Sequence, residues 1–255
     1  MALKNSQISE YIAPRATCHA PRIVNFSSKN RLTDRERVLF PGDTLLDKVG
    51  RTVCAAGCLP RKELFEAWEV ARRVRRRFRG GRIVDLACGH GLTAALLLLL
   101  DDTSAEALAV DQMLPASAGK LHEVLVKSWP KLAGRISFVE RPLAEIQLSA
   151  RDLVVSVHAC GELTDLVLDR ASDAGARIAV LPCCHNLDKS DKGSLEGWVD
   201  GPMAVDITRA NSLQEKGYRI YTQTIPSEIT PKNRLLLAFA IMNNIQRPCL
   251  TNPGK

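Results

Sequence analysis

The stretch VLPCCHN, residues 180–186, closes an apolar run with two adjacent cysteines and a histidine. A second run, VVSVHACGELTD, carries His158, Cys160, Thr164 and Asp165 at residues 158–165. Both place reactive side chains just past what reads as a buried strand, and side chains at strand ends can share one cleft. Three chemistries compete. A histidine can act as general base for a hydroxyl or ring nitrogen, because its unperturbed pKa lies near neutrality. A cysteine can attack a pyrimidine carbon and so activate the ring. Thiolates and imidazole can also bind zinc. Zinc ranks last and no metal is expected, since ligand cysteines usually have two or more residues between them. Consecutive strand side chains also point to opposite faces, so one of Cys183 and Cys184 is expected to be packing.

A third constellation lies upstream, in VDLACGHGLTA. Asp85 closes a strand, and Gly89 and Gly91 lie in the turn before a helix. Glycines there let the backbone approach a ligand, and a helix N-terminus offers unpaired N–H groups. Asp111 closes the next strand, where an acid can grip a ribose hydroxyl pair. The pattern departs from GxGxxG, because Ala94 stands three residues after Gly91.

It resembles instead the D-x-x-C/G-G-x-G motif of class I S-adenosylmethionine-dependent methyltransferases. The pair H-x-C-G-x-x-T-D and P-C-C-H narrows the likeness to one branch of that class, over roughly residues 58 to 240. That branch includes tRNA 2′-O-methyltransferases of the acceptor stem and the methyltransferase-like domains of glutathione-S-transferase C-terminal-domain-containing proteins. The small zinc-binding modules of the tRNA enzymes have no counterpart here. The resemblance implies S-adenosylmethionine over Asp85, Ala87, Cys88, Gly89 and Gly91, its ribose on Asp111, its adenine beside Glu140, and His158 between cofactor and acceptor. It also implies catalytic roles among His158, Asp165, Cys183, Cys184 and His185. A protein or small-molecule acceptor remains the alternative, as does a non-catalytic Rossmann-like module that binds the cofactor as a scaffold.

The elements that must position these residues alternate along the chain. RIVDLA, ALAVD, RISFVE, DLVVSV and RIAVLP read as strands separated by helices, which implies a parallel sheet covered on both faces. YRIYTQTI and RLLLAFAIM leave little room for a crossover helix and predict an antiparallel hairpin at one edge. The expected fold is α/β and Rossmann-like: a mostly parallel seven-stranded sheet, helices on both faces, an antiparallel edge strand. Pro60 opens a helix whose Leu64, Trp68, Ala71, Val74 and Phe78 form one apolar stripe. Residues 1–57 are expected to be a largely irregular extension, with PRIVNF as a possible short strand, 58–245 the Rossmann-like domain and 246–255 a tail. Cys18, His19, Cys54 and Cys58 have spacings that carry no metal motif.

The chain of 255 residues has a formal charge of +7. Residues 61–82 hold nine cations against three anions, a surplus of six. Such a patch suggests a polyanionic partner, here RNA through the arginines of residues 72–82, and binding that falls with salt. A solvated helix face complementing the macrodipole is the plainer alternative. Aromatics are few, which argues against a broad single-strand platform. No apolar run approaches the roughly 20 residues of a membrane span. Eight cysteines without a secretory signal pattern point to reduced thiols and a cytoplasmic location.

Overall fold

A computed structural model describes residues 25–241. PRIVNF up to Val24, Cys18, His19 and the tail at 246–255 lie outside them. The elements run α1 (Leu45–Ala56), α2 (Arg61–Arg77), β1 (Ile83–Leu86), α3 (Leu92–Leu100), β2 (Ala107–Asp111), α4 (Ala118–Ser128), β3 (Ile136–Glu140), β4 (Leu153–Ser156), α5 (Glu162–Asp173), β5 (Arg177–Val180), α6 (Gly201–Glu215), β6 (Tyr218–Thr224) and β7 (Arg234–Ala240). The seven strands form one sheet in the order β3-β2-β1-β4-β5-β7-β6. The first five pair in parallel, while β7 runs antiparallel to both β5 and β6. The expected hairpin is therefore present at that edge, with β6 outermost.

Alternation along the strands builds two apolar layers. Ile83, Leu153, Ala179 and Leu237 join α1 to α4 on one face. Val84, Val154, Ile178, Val180 and Leu236 meet α5 and α6 on the other. The sheet reverses its order between β1 and β4, and the C-terminal ends of these strands form the crevice where such folds bind ligands.

The segment expected to be irregular differs. Leu45–Ala56 is a helix capped by Thr44 and Asp47 in a reciprocal box and ended by Gly57 at φ 67°. It buries Leu46, Val49 and Val53 in the same core as the sheet, with Leu32 and Phe40. Gly50 weakens the helical signal in the sequence, yet its place is set by packing: a Cβ there would run into the Phe40 ring.

The arginine run is also disposed otherwise than expected. Arg75 is buried, donates to Leu97 O at 3.0 Å and to Ser104 Oγ at 2.9 Å, and pairs with buried Asp101 at 3.0 Å. Arg72 and Arg73 pair with Glu69, and Arg79 with Asp101. Arg77 lies over the Tyr221 ring. Arg82 grips Asp152 at 3.0 and 2.8 Å. Arg82 precedes β1, Asp152 precedes β4, and Arg177 at the start of β5 donates to the Arg79 and Gly80 carbonyls. This cluster therefore sits where strands begin, at the opposite end of the sheet from the crevice. Its first task is to tie the strand starts together.

Candidate functional site

Asp85 is the third residue of β1 and is 1% exposed. Its Oδ2 accepts the Ala94 N–H of α3 at 3.2 Å. Burial pushes its carboxyl up to about 7, with the Asp111 charge adding to the effect and the Ala94 bond opposing it. A buried acid with one backbone donor is costly in isolation; a cationic ligand group would offset that cost.

The turn after β1 holds three left-handed residues: Ala87 at φ 57°, Gly89 at 52° and Gly91 at 71°. Gly91 serves packing, because a Cβ would meet the Phe138 ring at 2.7 Å. Gly89 faces open space, with nothing within 4 Å of a Cβ position. That opening is a cradle that a side chain would begin to fill. Ala87 occupies a conformation suited to glycine, a strain of about 1–2 kcal/mol. Ala87→Gly is expected to raise stability by about 0.5–1 kcal/mol in urea unfolding, the relieved strain outweighing the entropy added to the unfolded chain, without weakening ligand binding at the turn.

Asp111 accepts the Gly89 N–H at 2.8 Å and the Met113 N–H at 3.3 Å, so the acid and the turn are already locked together. Glu140 lies alongside in register with Asp111 and accepts the Leu114 N–H at 2.9 Å. Cys88 is buried, its thiol pushed up by that burial. His90, which the sequence reading did not single out, bonds Ser117 at 2.9 Å across the crevice. The residues of the turn thus fit a ligand with a cationic end and a diol.

Ser156 donates to Leu86 O at 2.6 Å and fastens the end of β4 to β1. Beyond it His158 lines a cleft of about 200 Å³ with Lys29, Pro60, Lys62, Glu63 and Glu66 at the N-terminal end of α2. Burial pushes the Glu63 carboxyl up, and the His158 charge opposes that rise. Glu66 is buried and bridged to Lys62 at 2.9 Å.

The two cysteine–histidine loops meet as expected: Gly161 N–H donates to Cys184 O at 2.8 Å. The expectation that Cys183 and Cys184 point to opposite faces is overturned. The strand ends at Val180 and the chain leaves the pleat, so both are half-buried with their Sγ atoms 3.8 Å apart. Burial pushes the Cys183 thiol up to about 12. Lys232 donates to Cys184 Sγ at 3.0 Å and holds that thiol below its ordinary value.

His185 and Asp165 are arranged for support rather than exposure to an acceptor. The His185 side chain is 4% exposed and shares a 2.7 Å hydrogen bond with Asp206, which Arg234 also grips at 2.7 Å. Burial would raise the Asp206 carboxyl, but these two partners outweigh it and hold it low. Asp165 takes a two-point grip from Arg209, at 2.6 and 2.9 Å, and Arg209 also donates to Gly161 O at 3.2 Å. Thr164 donates to Ala159 O at 2.8 Å. Thr164 and Asp165 thus serve loop support. Asp206, Arg209, Arg234 and Lys232, the partners in this network, come from distant segments of the chain.

Residues 64–190 match a family model described as a methyltransferase domain. No curated protein matches the chain. Among solved structures, an O-methyltransferase family protein from Burkholderia thailandensis is 18% identical with a TM-score of 0.49, over 82% of this chain and 63% of that one. The N-methyltransferase NodS from Bradyrhizobium japonicum is 14% identical with a TM-score of 0.47, over 70% of this chain and 95% of that one. The tRNA methyltransferase TrmK of B. subtilis is 16% identical with a TM-score of 0.46, over 69% and 65%. This chain thus spans less than two thirds of the Burkholderia protein's length. The family match, together with the sheet order and the acid–glycine turn, supports a class I methyltransferase. Among the described residues, no helix is long and apolar enough to cross a membrane.

Proposed function

We propose that this protein transfers a methyl group from S-adenosylmethionine to RNA, with tRNA as the first candidate. The observation that carries the reading is the turn from Asp85 to Gly91: a buried acid for the cationic methionine end, an open Gly89 cradle, and Asp111 for the ribose. The cofactor supplies an electrophilic methyl on a sulfonium. When bound, it would offer that methyl for in-line displacement, and the acceptor's proton would need a base. His158, which follows β4 and lines the cleft at the start of α2, is the residue assigned to receive that proton. Cys183 and Cys184 stand at the adjoining lip; the nucleophile reading of either predicts loss of all turnover on substitution by serine.

RNA is supported by two features besides the resemblance. Lys29 and Lys62 line the cleft that His158 enters. Trp198 is 89% exposed on the loop between the PCCH lip and α6, where a base could stack. The arginine cluster, at the far end of the sheet, has no part in this reading of the site. The six free thiols among the described residues accord with a reducing, cytoplasmic setting.

A protein or small-molecule amine is the second reading, favoured by Glu63 and Glu66, whose carboxylates would accept from N–H donors. The two separate in an assay of labelled methyl transfer to bulk tRNA and to protein extract at low and moderate salt. Salt-sensitive label in tRNA supports the first; label in protein alone refutes it. Trp198→Ala should weaken RNA affinity by about 1–3 kcal/mol, as measured by filter binding, while leaving affinity for S-adenosylhomocysteine intact.

A further inference from the structure

We propose that Cys160, Cys183 and Cys184 hold one thiophilic divalent metal ion, zinc by preference, at the lip of the crevice. Their three sulfur atoms all lie within 4.8 Å of one another. The Cys183–Cys184 separation of 3.8 Å equals the edge of a tetrahedron whose metal–sulfur bonds are about 2.3 Å, for which the geometry gives about 3.8 Å. The objection from sequence was the adjacency of the two cysteines. It fails because residues 181–186 lie beyond β5, where the alternation of a pleated strand no longer applies.

Two further features belong to the site. The Gly161–Cys184 backbone bond at 2.8 Å clamps the loop bearing Cys160 to the loop bearing the pair, so the three ligands converge from separate segments. Three thiolates on a divalent ion leave a net charge of −1. The Lys232 ammonium, 3.0 Å from Cys184 Sγ, stands where it neutralises that charge. His185 is engaged by Asp206 and supplies no fourth ligand, while Cys160 is exposed. The fourth position therefore opens to solvent or to an acceptor, as in zinc sites that keep one place free.

The site goes beyond methyl transfer and is tested apart from it. Full-length protein, purified under reducing conditions, is titrated with Co(II), then with Zn(II) in competition, and its zinc content is measured. One Co(II) per chain, with thiolate charge-transfer and tetrahedral visible bands that zinc abolishes, is the expected result. Cys160→Ser and Cys183→Ser should each weaken binding more than tenfold. Cys54→Ala, which alters a buried cysteine of α1, should leave it unchanged. Lys232→Ala, which keeps all three thiols, should weaken it about 10- to 100-fold. Absence of the bands from protein whose thiols are shown to be reduced overturns the proposal, and so does equal binding by the serine variants. S-adenosylhomocysteine titrations of the same samples keep the two readings separate: binding of that ligand without metal defeats only this inference, and metal without that ligand defeats only the methyltransferase reading.

Discussion

Asp85→Asn is expected to make the protein more stable at pH 8 and to impair it as a cofactor binder. The sign follows from the acid's environment. In the unfolded chain its carboxyl ionises near pH 4; in the folded protein burial pushes that value up to about 7. Ionisation therefore costs folding free energy that accrues as pH rises from about 4 to 7 and is constant above. The cost amounts to at most about 4 kcal/mol. Asparagine avoids it and still offers an oxygen to the Ala94 N–H. Urea midpoints should coincide near pH 4 and diverge in favour of the variant by pH 8. Affinity for S-adenosylhomocysteine should fall by about 2 kcal/mol or more, roughly thirtyfold, because the cationic end loses its counter-charge. Stability gained with affinity unchanged would mean that the acid does not hold the cofactor.

Arg75→Ala should be among the most damaging substitutions away from the crevice. Its guanidinium joins α2 to the end of α3 through Leu97 O, Ser104 and Asp101. Burial alone would raise the Asp101 carboxyl, but N–H donation from Gly80 and Thr103, the Thr103 hydroxyl and the Arg75 charge hold it at about 2. Removing the arginine strands a buried carboxylate, at a cost of about 3–5 kcal/mol. The melting temperature should fall on the order of 10 °C. A double variant with Asp101→Asn should recover part of the loss. Asp101 also implies that wild-type stability falls as pH drops from about 4 toward 2, where its protonation dissolves these bonds. A loss below 1 kcal/mol in Arg75→Ala would show that the arginine cluster is not holding the strand starts together.

Strands were legible where β-branched runs stand between glycines and charges, as in RIVDLA and RIAVLP, and the closing hairpin because two such runs lie too close for a crossover. The acid–glycine turn was legible because the chemistry needs particular residues at fixed spacing. Helix α1 was obscured by Gly50, whose reason is the Phe40 ring lying against it. Part of the arginine run looked free because its acids, Asp101 for Arg75 and Arg79 and Asp152 for Arg82, follow at distances set by the sheet; Arg76 and Arg77 stay exposed. The cysteine pair was assigned to opposite faces by applying the strand rule one turn too far. His185 looked available for catalysis because its partner Asp206 lies 21 residues on, in α6.

We propose that Asp85, Gly89 and Asp111 form a cofactor cradle. Calorimetric titration of the purified protein with S-adenosylhomocysteine tests it most directly, run near pH 6.5 in two buffers of different ionisation heat. The expected result is one site per chain and release of a fraction of a proton, as the ligand's ammonium draws the Asp85 carboxyl below its raised value. Absence of binding at millimolar ligand would contradict the cradle.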